Sequence, residues 1–101
     1  MTLKVEFSAE NRQQADTILN DLLAKRLVTG GQFIETPARF LWKGEVTDMD
    51  YCTVTSFTLP KHKESIIRAI TAMSEEEVPM IAFYPLEGNE ALEEWVGKTC
   101  P

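Results

Sequence analysis

Trp42-Lys43-Gly44-Glu45-Val46, Val78-Pro79-Met80-Ile81 and Pro85-Leu86-Glu87-Gly88-Asn89 followed by Trp95 set the layout of this chain. In the first stretch Gly44 closes one strand of a hairpin, and the return strand follows. The second enters a nearly all-apolar run, residues 78–86, expected to be a strand with little solvent access on either face. The third turns the chain at Gly88-Asn89, where Asn89 can cap a short last helix carrying Ala91, Leu92, Trp95 and Val96.

Outward from these anchors, Leu3, Val5 and Phe7 alternate with Thr2, Lys4, Glu6 and Ser8, the period of a half-buried strand. Ser8 and Asn11 are both candidate N-caps for a helix over residues 10–26, whose stripe is Ala15, Ile18, Leu19, Leu22 and Leu23. Thr29-Gly30-Gly31 then permits a bulge or a close backbone approach. Two extended pieces are expected at 32–35 and 38–43, separated at Thr36-Pro37 because proline lacks a ladder donor. Residues 45–50 are expected to be a polar turn, and 51–59 a strong strand. Pro60 suits the first turn of a helix over 61–74, with Ile66, Ile67, Ile70 and Met73 on one side and Glu75-Glu76-Glu77 after it as a solvated run. The order β-α-β-β-α-β plus a short helix predicts an α+β, ferredoxin-like sandwich: an antiparallel sheet with two helices on one face and a short C-terminal helix.

The other face of that sheet raises a physical problem. Tyr51, Thr53, Thr55 and Phe57 alternate with Cys52, Val54 and Ser56, while Pro79, Ile81 and Phe83 alternate with Val78, Met80, Ala82 and Tyr84. Both faces carry large apolar groups, and monomers seldom expose a large apolar patch. Closed association of identical chains covers such a face economically. Folding of Phe40, Trp42 and Trp95 over it within one chain is the alternative.

The 101 residues suit a single domain, 1–101. No apolar run approaches the ~20 residues that span a bilayer, and the N-terminus lacks the apolar middle of a signal peptide, so a cytoplasmic protein without membrane contact is expected. A net charge of −6 disfavours nucleic acid, which needs a basic surface to displace counterions. Cys52 and Cys100 are too few for a disulfide framework. Cys52 reads as a small buried hydrophobe, and Cys100 as a frayed, free thiol.

Candidate ligand residues are sparse. Glu45, Asp48 and Asp50 would place three carboxylates at a hairpin tip, suited to weak binding of a hard cation. A solvated turn explains the same residues. His62, the only histidine, is a candidate for copper, yet no second nitrogen or thiolate ligand has matching spacing. Met49, Met73 and Met80 are possible soft ligands, with Met73 and Met80 more simply core filler. No catalytic residues stand out. Gly30-Gly31 is not a phosphate loop, no Ser/His/Asp set can be assembled, and Arg12 lacks the glycines of an acylphosphatase cradle.

At Trp42-x-Gly44-Glu45-Val46, Val78-Pro79-x-Ile81, Pro85-x-x-Gly88-Asn89 and Trp95, with Ala24-Lys25-Arg26-Leu27 at the first helix end, the chain resembles the CutA divalent-cation-tolerance family over nearly its whole length. The resemblance implies a ferredoxin-like protomer in a tight homotrimer linked to tolerance of divalent cations, copper above all; the lack of a catalytic motif makes a non-enzymatic role the expectation. The resemblance implies no other cofactor and names no protein partner. Trp42, Gly44, Glu45, Tyr51, Phe57, Pro79, Ile81 and Tyr84 are then expected at a subunit interface or cleft. The family's cysteine after the first helix, its His-Pro-Tyr and its Val-Pro-Glu glutamate are replaced here by Gly30-Gly31, Glu75-Glu76-Glu77 and Met80. A trimeric small-ligand sensor like the PII proteins shares the plan, but the short connection at 44–50 leaves no long signalling loop. A small enzyme working at an inter-subunit cleft is the third class.

Overall fold

Strand pairing decides where every side chain of this protein points. A computed structural model describes residues 1–101. The order is β1 (Thr2–Ala9), α1 (Arg12–Ala24), β2 (Gln32–Trp42), β3 (Glu45–Thr58), α2 (Lys63–Met73, entered through a 3-10 turn at Pro60–His62), β4 (Ile81–Leu86) and α3 (Glu90–Thr99). The four strands form one antiparallel sheet in the order β2-β3-β1-β4, the ferredoxin-like plan expected above.

Asn11 is the N-cap of α1, its side-chain oxygen accepting from the Gln14 amide at 2.9 Å. The other end closes as a Schellman motif: the Leu27 and Arg26 amides donate to the Leu22 and Leu23 carbonyls, and Arg26 takes φ 56°. Ala15, Ile18, Leu19 and Leu22 of α1 and Ile66, Ala69 and Ile70 of α2 pack on Val5, Phe7, Ala9, Cys52 and Val54, making one core on one face of the sheet. Gly31 permits a close approach there, because a Cβ on it would stand 2.6 Å from a Leu19 methyl.

Three boundaries differ from expectation. β2 is continuous through Pro37, opposite Asp50, because β2 is an edge strand and the missing donor faces no neighbour. Residues 45–50 are not a turn but the start of β3; the turn is only Lys43-Gly44, both at positive φ (51° and 83°), matching the twist of a two-residue hairpin. β4 begins at Ile81, leaving Val78, Pro79 and Met80 in the loop before it. Met80 is therefore exposed rather than core, whereas Met73 packs against the core.

The C-terminus also departs from the reading. Cys100 is fully buried rather than frayed, and its carbonyl oxygen lies 3.0 Å from Nε2 of His62. Thr2 hydrogen-bonds to Glu93 of α3, tying that helix to the first strand. Burial pushes both thiols, Cys52 and Cys100, above the ordinary thiol range, and neither is in a disulfide.

Candidate functional site

The register separates the sheet into two sets of side chains. Val5, Phe7, Cys52, Val54, Ile81 and Phe83 face the helices. Lys4, Glu6, Ile34, Thr53, Phe57 and Tyr84 face the other way, where α1 and α2 leave the sheet uncovered. Ile34 is 51% exposed, Tyr84 46% and Trp95 of α3 47%, large values for such apolar groups. Trp95 shares a cleft of about 400 Å³ with Lys4, Phe57 and residues 29–32, so it covers only one corner of this face.

A second cleft, about 330 Å³, lies at the opposite end. Phe40, Trp42 and Tyr51 of the β2–β3 hairpin form one wall, and Glu10, Glu76 and Glu77 the other. The aromatic wall follows from alternation: Phe40 and Trp42 share a parity on β2 and Met49 and Tyr51 on β3, with Phe40 and Tyr51 rings 5.8 Å apart. The acidic wall depends on Ser8. Its backbone N–H donates to the Met80 carbonyl at 3.1 Å, while its hydroxyl donates to Glu76 Oε2 at 2.9 Å and accepts from the Met80 amide at 3.1 Å. Glu75 meanwhile accepts from Gln14 Nε2 at 2.7 Å. The triple-glutamate run is thus a tethered cleft wall, not a wholly solvated one.

Electrostatics in this cleft are unbalanced. Glu76 Oε1 is buried without a hydrogen-bond partner. Desolvation, aided by the charge of Glu10, raises the Glu76 carboxyl above the usual range against the lowering effect of the Ser8 hydrogen bond. Desolvation, then Glu76 and Glu10, raises the Tyr51 phenol too. Glu77 alone on this wall has a cationic partner, Lys43 Nζ at 3.5 Å, and that ammonium also lies 5.4 Å from the Trp42 ring centre.

The residues proposed from sequence as metal ligands do not converge. Glu45 sits at the turn and points to the face of Phe40 and Trp42, while Asp48 and Asp50 point to the other face, because one residue's offset along a strand reverses direction. The expected carboxylate trio at a tip is corrected on that ground. Asp48 is committed to Arg39, with Oδ1 2.7 Å from Nε and Oδ2 3.2 Å from Nη2. Asp50 stands opposite Pro37. His62 lies beyond the far end of β3, against Cys100. Nowhere do three His, Cys, Asp or Glu side chains gather in a way that could hold a metal ion. A resident divalent cation therefore does not fit within one chain.

Of the residues expected at an interface or cleft, Trp42 and Tyr51 line the acidic cleft, Phe57 the other one, and Tyr84 the open sheet face. Gly44 and Glu45 form the hairpin tip, and Pro79 lies in the loop before β4. Ile81 turns instead to the helix face and packs against the core, opposite Phe7. From sequence, Ser8 reads only as a candidate cap, Glu75-Glu76-Glu77 as a solvated run standing where the family has His-Pro-Tyr, and Glu10 is not singled out at all. They meet only because β1 and β3 pair Ala9 with Cys52, bringing the end of β1 beside Tyr51, and no local spacing signals that. Arg12, weighed as a phosphate ligand, stacks 3.7 Å from the Phe33 ring centre.

The pattern of the CutA1 divalent ion tolerance protein family matches residues 3–99. The chain belongs to that family. No curated protein matches it. Among solved structures it is similar to the periplasmic divalent cation tolerance protein CutA of Archaeoglobus fulgidus, with 20% identity, all of both chains covered and a TM-score of 0.96. It is similar to the divalent cation tolerance protein of Thermus thermophilus, with 21% identity, full coverage of both and a TM-score of 0.95. CutA1 of Oryza sativa covers 99% of this chain with 94% of its own, at 15% identity and a TM-score of 0.92. At such identities these likenesses speak for the fold. No helix is long and apolar enough to cross a membrane.

Proposed function

We propose that this CutA1-family chain acts without catalysis in the tolerance of divalent cations, copper foremost, as a homotrimer whose cation response is exerted at the seams between protomers. The observation that carries the reading is the family match over residues 3–99. Assembly is supported by the uncovered sheet face, where Ile34 and Tyr84 stand about half exposed beside Phe57. Burying a side chain of that size contributes about 1.5–3 kcal/mol, so three copies that hide them from water are favoured over one that does not. The seam location is supported by the scatter of ligand-type residues within the chain: Glu45, Asp48, Asp50 and His62 do not share a site. The absence of any nucleophile–base pair in the sequence supports a non-catalytic role.

Light scattering tests the assembly, and the expected mass is three times the 11.4 kDa of one chain. A folded species of single-chain mass at micromolar concentration defeats it. Growth in copper of cells lacking and then regaining this protein tests the role, with restored tolerance expected. In vitro, copper(II) is expected to bind no more tightly than about micromolar, because one imidazole without converging partners is a weak ligand set.

A further inference from the structure

The acidic cleft has chemistry that the divalent-cation reading does not use. The geometry points to a binding site for a small organic ammonium ion, such as a short aliphatic diamine, between the aromatic wall of the hairpin and the Glu10–Glu76 wall. The inference goes beyond the tolerance role.

Four observations converge on it. The cleft, of about 330 Å³, is large enough for a small molecule. Phe40, Trp42 and Tyr51 line it, and aromatic ring faces attract a cation with an apolar body. Glu10 and Glu76 carry no ion pair, and the charge of each acts on Tyr51, so negative charge in the cleft is uncompensated. Glu76 Oε1 is buried with no donor, an acceptor that an ammonium N–H would satisfy.

The protein's own Lys43 identifies the class of cation. Its ammonium lies against two residues of the lining, 5.4 Å from the Trp42 ring centre and 3.5 Å from Glu77 Oε2. That is an alkylammonium held between an indole face and a carboxylate, and Tyr51 and Glu76 bring a further aromatic ring and carboxylate to the same cleft. A hard metal ion is the poorer match, because it wants several oxygens at close range and no such group converges here. An alkylammonium needs only one or two carboxylates and an apolar wall. Protonation of Glu76 would remove the charge the ligand needs, and the charged groups facing it are Glu10 from the β1–α1 junction, Glu75 and Glu77 from its own loop, and Lys43 beside Glu77, with the Tyr51 phenol opposite.

Titration calorimetry of the full chain with 1,4-diaminobutane at pH 8 and constant ionic strength tests the site. Saturable binding is expected, one per chain, with a Kd below about 1 mM. Glu76→Gln and Glu10→Gln should each weaken it by about tenfold, while Glu94→Gln on α3 leaves it unchanged. Lys43→Gln removes the internal competitor and should tighten binding severalfold. Glu10→Gln serves alone should Glu76→Gln fail to fold. No saturable heat, equal weakening in Glu94→Gln, or displacement of the diamine by an equal concentration of Mg²⁺ overturns the inference.

Discussion

Replacing Ser8 by alanine should cost far more than the loss of one oxygen suggests. The hydroxyl donates to Glu76 Oε2 and accepts from the Met80 amide, so it holds the loop before β4 onto the end of β1. A hydrogen bond to a charged group contributes about 1.5–3 kcal/mol and a neutral one about 0.5–1.5. Water can reach Met80, which is exposed, and replace its lost partner in part. The Glu76 carboxylate is less well served, because Oε1 is already unpartnered and Oε2 would join it. A loss of about 2 kcal/mol is therefore expected. Urea unfolding at pH 7 and fixed chain concentration is the assay, since an assembly's stability depends on concentration. The midpoint should fall with the slope unchanged. The hydroxyl is also the group that favours the ionised carboxyl against desolvation and Glu10, so Glu76 should titrate still higher in Ser8→Ala. The effects of Ser8→Ala and Glu76→Gln should not add, because the two share one interaction. A loss under about 0.5 kcal/mol, the range of an uninvolved surface change, would refute the claim that Ser8 anchors the acidic wall.

Adjacent glycines should respond in opposite senses. Gly31→Ala drives a Cβ to 2.6 Å from Leu19 Cδ2 and 3.0 Å from Val54 Cγ1, both buried, and should destabilise by about 1–3 kcal/mol; Gly30→Ala meets nothing within 4 Å and should be neutral or slightly stabilising on the same melt. Arg26→Gly relieves a side chain held at φ 56° in the Schellman turn, and a gain of about 0.5–1 kcal/mol in chemical denaturation is expected. Glu76 titrates above its ordinary 4.5, so its contribution to stability is fully present below that value and is lost as pH rises through the higher folded one. Glu76→Gln should accordingly match the parent in acid and exceed it increasingly from about pH 5 toward neutrality, which a series of melts across pH would show. Both buried thiols should resist alkylation in native buffer and react at once in denaturant, as a thiol assay can count.

The fold was legible because each element carried its own period. Leu3, Val5 and Phe7 at spacing two, and Ile18, Leu19 and Leu22 at helical spacing, state their burial locally, and the structure buries all of them. Pro37 misled because its effect depends on strand position: it breaks a central strand but not an edge, and edge status is a property of the whole sheet. Asp48 and Asp50 misled for a related reason. Aspartate favours turns by local hydrogen bonding, yet here pairing with Arg39 and Pro37 in β2 draws both into a strand. Glu75 and Glu76 looked solvated because their partners, Gln14 and Ser8, lie 61 and 68 residues away. Cys100 looked frayed by position alone, before α3 brought it to His62.

One geometric rule then accounts for what the candidate residues can and cannot do together. On β3 the odd-numbered side chains from Glu45 to Phe57 project to the open face and the even-numbered ones from Asp48 to Thr58 to the helix side. A metal site from Glu45, Asp48 and Asp50 would need adjacent parities to meet, which a flat ladder forbids. The same rule gathers Phe40, Trp42, Met49 and Tyr51 into one wall, because partners in register on an antiparallel pair share a face. The apolar strip that calls for other copies of the chain and the aromatic wall beside Glu10 and Glu76 are consecutive stretches of that single face. A one-residue insertion in β2 between Ile34 and Phe40 would therefore put Ile34 and the Phe40–Trp42 pair on opposite faces while β1 keeps β3 in place, so the apolar strip and the aromatic wall could not both survive.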